Sequence, residues 1–211
     1  MKMACKCFAL VSAASAFALA GLPGCANSKS SGPIVTAPSE DDLRRATALA
    51  NEAQAALNNG DSNRAIELFT QSLTVRSDIG GVWNNFGLAL KARGAELDYL
   101  QAAEAFKRAA DLLPVDERPY QNLGVLYHER GFGEEALRYF TMALERNPNS
   151  LESLRGAISS SKVLLRSDEG GLARVNRALM IETDPTWRKI EEFEKLRIQH
   201  DLAERYASPT R

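Results

Sequence analysis

Cysteine is nearly missing from this chain. Its 211 residues hold three, Cys5, Cys7 and Cys25, all within the first 25 positions. Everything after Cys25 therefore lacks disulfides, a thiolate nucleophile and cysteine metal ligands. Histidine is almost as scarce: His128 and His200 stand 72 residues apart, and neither has a second metal ligand at a useful spacing. There is no two-histidine zinc helix and no nucleophile elbow, and no G-K-[ST] follows the glycine pairs Gly80-Gly81 and Gly170-Gly171. Excess charge of one sign is also lacking. Basic and acidic residues number 26 and 27, which gives no general reason to expect nucleic acid as a partner. The acidic pairs Asp41-Asp42 and Glu134-Glu135 fall at expected helix starts, where they complement the helix dipole. No catalytic residue, cofactor or metal is expected. The longest uncharged apolar stretch, Phe8 to Ala20, is 13 residues, short of the ~20 needed to cross a bilayer.

What the chain has is repetition. Trp83, Phe86, Gly87 and Leu90 are followed by Ala102, Phe106, Ala109 and Pro114. The series returns as Tyr120, Leu123, Gly124, Tyr127, Ala136, Phe140, Ala143 and Pro148, with Pro114 and Pro148 34 residues apart. Within the second copy, Tyr120, Leu123, Gly124 and Tyr127 share one face of a 3.6-residue period, and Ala136, Phe140 and Ala143 form a facing stripe. Small residues at Gly124 and Ala136 let two backbones approach, with Phe140 filling the space beside them. Glycine inside a helix costs about 0.5–1 kcal/mol relative to alanine, so its return at Gly87 and Gly124 implies a steric need. Gly131 supplies the turn, and Asn147-Pro148 stops the second helix.

This period and residue order resemble the tetratricopeptide repeat. The resemblance implies an all-α solenoid, a right-handed superhelix of helix-turn-helix units, over residues 40–185. Three repeats are clear. The first, on Leu49, Ala53, Ala56, Ala65, Phe69 and Ser72, lacks the first-helix aromatics and turns at Gly60-Asp61 with Asp61 as N-cap. The second carries about three extra residues at Ala95-Glu96-Leu97-Asp98. A degenerate fourth begins with Leu154, Ala157 and Ile158; Ala173 and Pro185 close it, about three residues are inserted around Arg166 to Gly171, and Arg177 stands where the others have Phe. Asp184-Pro185 starts a last helix, and 186–211 reads as a capping helix and tail. Its expected apolar face is Trp187, Ile190, Phe193 and Leu196, with five acidic and five basic residues, Glu191 and Glu194 among them, facing water.

Residues 1–24 read as an address. Lys2 and Lys6 give a positive start, the apolar stretch follows, and Leu22-Pro23-Gly24-Cys25 closes the segment. This ending resembles the lipobox of bacterial lipoproteins, although Pro23 departs from the usual small residue. The resemblance implies that Cys25 is diacylated and becomes the mature N-terminus. Residues 25–39, rich in Ser and Pro, then read as a flexible tether, and Ala26 after the cysteine favours the outer membrane. The alternative is cleavage after Ala18-Leu19-Ala20, which releases a soluble periplasmic binding module.

In tetratricopeptide proteins the first helices line a concave groove. Carried onto this sequence, the groove positions include Asn84, Lys91, Arg118, Gln121, His128, Arg155 and Lys162, with Glu152 the one acid. The amides suit a peptide backbone, and the basic excess suits an acidic segment or a free carboxylate. Ala50 and Gln54 occupy the first two places of the carboxylate clamp found in chaperone-binding members, so that clamp is incomplete. With the lipobox, the chain resembles bacterial tetratricopeptide lipoproteins, including the assembly lipoproteins of tight-adherence and type IVa pili and adaptors for peptidoglycan enzymes. The expected function is a non-enzymatic, lipid-anchored protein–protein scaffold in the cell envelope.

Overall fold

The computed structural model describes residues 39–207. The expected leader, the lipidation site Cys25 and the tether up to residue 38 lie outside the described residues, as does the tail from 208. Among the described residues there are nine helices and no strand: α1 (Glu40–Asn58), α2 (Ser62–Val75), α3 (Gly80–Arg93), α4 (Asp98–Leu112), α5 (Arg118–Glu129), α6 (Gly133–Arg146), α7 (Leu151–Val163), α8 (Glu169–Ile181) and α9 (Pro185–Ala207). None is long and apolar enough to cross a membrane. They form four antiparallel hairpins and a final single helix. Each hairpin packs on the next, and successive first helices also touch, α1 on α3, α3 on α5 and α5 on α7. Successive second helices make no comparable contact. The stack is therefore tighter on the first-helix side, which makes that side concave.

Local chemistry sets the ends of the elements. Ser39 and Asp42 form a capping box at α1, and Asp61, Ser150 and Asp168 cap α2, α7 and α8 through their side chains. Within the first three hairpins the turn uses a glycine at positive φ: Gly60 at 81°, Gly94 at 68° and Gly131 at 79°. The fourth has Leu165 instead, at φ 51°. Its side chain is 78% exposed, so no packing compensates the left-handed backbone. The insertion in the second hairpin is held by Asp98. Its buried carboxylate takes the Arg93 fork at 2.8 and 2.5 Å and the Ala95 N–H at 2.9 Å.

The core is a file of small and large residues in complement. A methyl on Gly87 would lie 2.6 Å from the Phe106 ring, and one on Gly124 would lie 2.7 Å from the Phe140 ring. Ordinary carbon contacts are about 3.5–4 Å, so these rings require glycine opposite them. Phe140 also presses on Gly156 of α7, which ties the third hairpin to the fourth. Ser72 replaces the alanine of the later repeats and donates its buried hydroxyl to the Ala46 carbonyl at 2.8 Å.

Two expectations are corrected here. In α8 the buried stripe is Gly171, Val175 and Ala178, two residues earlier than the alignment through Ala173 and Arg177. Both of those are exposed. Val175, not Arg177, occupies the place of Phe140, and the insertion shrinks to a single residue between Ala136 and Gly171 when set against the 34-residue period. The swap is sterically coherent. Ile158 stands where Gly124 stands one repeat earlier, and Ile158 packs with Val175 in one cluster. The large and small partners have been replaced by two of medium size.

The second correction concerns α9. Its buried residues are Glu191, Glu194, Ile198 and Leu202, while Phe193 and Leu196 are 65% and 66% exposed. A spacing of three falls about 60° short of a full turn at each step, so Trp187, Ile190, Phe193 and Leu196 spiral around half the helix. The positions that stay on one side are 187, 191, 194, 198 and 202, and two of them are glutamates. Ile198 and Leu202 join Leu154, Ile158, Val175 and Ala178 in the terminal core cluster.

Candidate functional site

The concave side of α1, α3, α5 and α7 carries a ladder of amides and hydroxyls. Asn85 Nδ2 donates to Gln54 Oε1 at 2.9 Å, joining α3 to α1. Asn122 Nδ2 donates to Asn84 Oδ1 at 2.8 Å, joining α5 to α3. Gln121 Oε1 accepts from the Ser150 and Ser153 hydroxyls at 3.2 Å each, and its amide donates to Glu152. His128 Nδ1 meets Ser160 Oγ at 3.1 Å. These side chains face the groove because helical spacing returns them to the same side of each first helix. Buried polar groups are stable only when hydrogen-bonded, and Asn84, at 6% exposure, meets that condition through its neighbours.

At the centre is a cleft of about 470 Å³, floored by Asn84, Asn85 and Asn122. Leu88 and Leu151 add apolar surface to its lining, and Arg118, Glu117 and Glu152 add charge of both signs. Asn84, Arg118 and Gln121 of the expected set line it together. Lys91, His128, Arg155 and Lys162 do not.

Three of the four cations of the expected set carry intramolecular partners. Lys91 Nζ lies 2.8 Å from Glu129. Arg118 forks onto Asp116 at 2.6 to 3.0 Å and holds that carboxyl below its ordinary range. Arg155 forks onto the buried Glu182 at 2.8 and 2.7 Å, and its guanidinium lies 4.9 Å from the centre of the Trp187 ring. Arg155 also holds Glu182 below the usual carboxylate range. Lys162 is exposed and pairs with none of the described carboxylates. The basic excess expected from first-helix positions is therefore largely offset by acids from a loop (Asp116), a helix end (Glu129) and the α8 cap (Glu182).

A second cleft, about 510 Å³, lies on the other side, between α6 and α8. Glu134, Glu135, Glu145 and Asp168 line it with Arg138, Arg166 and Arg174. Sequence reasoning did not find it. These charges sit on the outer faces of second helices, where they read as ordinary solvated surface. Among the described residues, no cluster of three or more His, Cys, Asp or Glu side chains is placed to hold a metal.

The tetratricopeptide repeat model matches residues 46–79. The chain superposes on a crystal structure of MamA with TM-score 0.58 and 18% identity, over 66% of this chain and 74% of that one. It superposes on the first TPR of Spaghetti (RPAP3) bound to the HSP90 peptide SRMEEVD with TM-score 0.55 and 19% identity, over 58% of this chain and 95% of that one. The fold is an all-α tetratricopeptide solenoid. Among curated proteins it matches the BBSome complex member bbs-4 of Caenorhabditis elegans, 24% identical over 129 residues, 61% of this chain. The match spans 27% of that protein's length, about a quarter. Solenoids of this kind serve as protein–protein interaction scaffolds.

Proposed function

We propose that this chain is a non-enzymatic scaffold that holds an extended segment of a partner protein in the first-helix groove. The observation that carries this reading is the amide ladder crossing α1, α3, α5 and α7 around an open cleft of mixed polarity. Asn and Gln each offer two donors and an acceptor, so residues already paired across the groove keep valences for a passing peptide backbone. Each such bond contributes about 0.5–1.5 kcal/mol net, and several along one segment give useful affinity without sequence stringency. Because Lys91, Arg118 and Arg155 are already neutralised, the partner segment is not required to be acidic, and binding should weaken only modestly with salt. The peptide held by the RPAP3 relative is consistent with this mode of recognition.

We further propose that the scaffold is anchored in the bacterial envelope through a lipidated Cys25, facing the periplasm from the outer membrane, and assists assembly of a pilus, secretion or envelope complex. This rests on the Leu22-Pro23-Gly24-Cys25 ending and the Ser- and Pro-rich stretch behind it. One acyl chain binds membranes marginally, whereas several hold firmly.

Two experiments separate the parts. Metabolic palmitate labelling of wild type and Cys25→Ser tests the anchor; an unlabelled wild type cut after Ala20 replaces it with a soluble periplasmic module. Pull-down from detergent extract tests the groove, comparing wild type with Asn85→Ala plus Gln121→Ala, which removes two amides that line the cleft. Both residues are half-buried, so circular dichroism first checks that the variant is folded. Arg155 is unsuitable for this purpose, since its loss would leave Glu182 buried without a partner. Undiminished capture by the folded double variant would move binding off the groove.

A further inference from the structure

α9 docks with its charges inward. Glu191 and Glu194 are 0% and 1% exposed, while Phe193 and Leu196 point to solvent. Glu194 is answered by Arg197, whose Nη2 and Nε lie 2.5 and 3.0 Å away. Glu191 is not. Neither of its carboxylate oxygens has a hydrogen-bond partner, and both are sealed from solvent. The cation best placed to serve it is Arg155, but the Nε and Nη2 of Arg155 are held by Glu182. The charged groups facing Glu191 are Arg155 from α7, Glu182 from the end of α8 and Arg188 from α9 itself. Asp184 in the α8–α9 turn, like Glu182, acts on Arg155. Two cations and two other acids share this corner, so no surplus positive charge is left for Glu191.

We infer that docking of α9 onto α7 and α8 takes up one proton at Glu191, so that the end of the array is closed while this carboxyl is neutral and loosens as it ionises. A neutral carboxyl is far cheaper to bury without a partner than a carboxylate. Burial pushes Glu191 up to about 7, with Glu182 adding to the rise and Arg155 and Arg188 opposing it. The group is thus raised above its unfolded value. Its contribution to docking is fully present below the ordinary carboxylate range and is lost as pH rises through about 7. Between the ordinary carboxylate range and about pH 7 the undocking equilibrium rises by up to about tenfold per pH unit, the limit for one proton, and it levels off above 7, where both states are ionised. Undocking bares the apolar face formed by Leu154, Ile158, Val175 and Ala178, which Ile198 and Leu202 otherwise cover. Held charges elsewhere on α9 do not compete for this role, because Glu194 and Asp201 both engage Arg197.

Hydrogen exchange of the purified full chain in detergent, read by mass spectrometry between pH 4 and 8.5, tests the inference. After correction for the intrinsic pH dependence of exchange, the opening equilibrium of amides 188–202 should be lowest near pH 4, approach a tenfold rise per unit between about 5 and 7, and level off above 7. Amides of α3 to α6 should show no such trend. Glu191→Gln, which keeps the shape and removes the ionisation, should abolish the rise, and Glu191→Met should abolish it while lowering opening at every pH. Trp187 emission gives an independent readout of the same equilibrium. A flat wild-type profile overturns the inference, as does a rise that survives in Glu191→Gln. So does a carbon NMR titration of Glu191 at an ordinary carboxylate value with α9 still docked.

Discussion

The contact between Phe140 and Gly124 makes a prediction whose sign depends on the background. In isolation, Gly124→Ala should favour the helix by about 0.5–1 kcal/mol, because glycine is a poor helix residue. In the folded chain the new methyl would sit 2.7 Å from Cδ1 and 2.8 Å from Cγ and Cε1 of Phe140. The ring would have to shift by about 1 Å to restore normal contact. It has little room to move, because its far edge lies over Gly156 of α7, where an added methyl would crowd the same ring even more closely. Overpacking of this kind costs about 1–3 kcal/mol, so Gly124→Ala should be net destabilising by about 1 kcal/mol, reaching about 2 if the backbone resists. Phe140→Ala removes a ring that is 2% exposed and should cost about 3–5 kcal/mol. In that background the obstruction is gone, and Gly124→Ala should stabilise by about 0.5–1 kcal/mol. Urea unfolding followed by far-ultraviolet circular dichroism on the four proteins closes the cycle. If Gly124→Ala stabilises the wild type, or has the same sign in both backgrounds, the ring is not wedged between α5 and α7 and the argument fails.

Other consequences follow from single positions. Leu165→Gly should stabilise the fourth hairpin by about 0.5–1 kcal/mol, since a left-handed leucine costs about 1–2 and glycine gives back part of that in chain entropy; a lower midpoint in thermal or urea melts would contradict it. Asp98→Ala should cost about 2 kcal/mol, below the range for fully buried pairs because Arg93 is one-third exposed. Arg93 holds Asp98 below the ordinary carboxylate range, so that pair should contribute fully above about pH 4 and fade as pH falls further. The acid limb of the melting curve should flatten in Asp98→Asn, and an unchanged limb would show that Asp98 is not among the groups that titrate. His128→Ala removes one half-buried contact to Ser160 and should change stability by no more than about 1 kcal/mol, which a urea midpoint would settle.

The parts of the fold legible in the sequence are those governed by spacing and steric size. Gly124 and Phe140 recur with Gly87 and Phe106 because close helix contact demands a missing side chain opposite a ring, and that demand leaves a residue signature. Where the demand was met differently, the signature vanished. Ile158 with Val175 fills the same space without a glycine or an aromatic, so the eye slides to Ala173 and Arg177, which keep a familiar alanine but face water. α9 failed for a related reason. A row of apolar residues three apart looks like a face but winds away from one, and the row that stays aligned contains two glutamates that hydropathy assigns to solvent. Nothing in residue type reveals that Arg197 will cover Glu194, or that Glu191 will be covered by nothing.

The groove shows where reading a surface from its own positions breaks down. Counting first-helix positions gives four cations, Lys91, Arg118, Arg155 and Lys162, against Glu152. In the folded chain three of these are paired, and their partners come from segments the count never visits: the α4–α5 loop, the end of α5 and the C-cap of α8. Charge complementarity with an acidic segment is therefore a weak basis for recognition here. The amides fare differently. They too are engaged with one another, but a carboxamide that spends one valence on its neighbour is fixed in orientation and still presents the rest to the cleft. Fixing a side chain before a ligand arrives removes part of the ordering cost that binding would otherwise carry. The ladder that holds α1, α3, α5 and α7 in register is thus also what readies the groove for a peptide backbone. Substitutions that weaken one role should weaken the other.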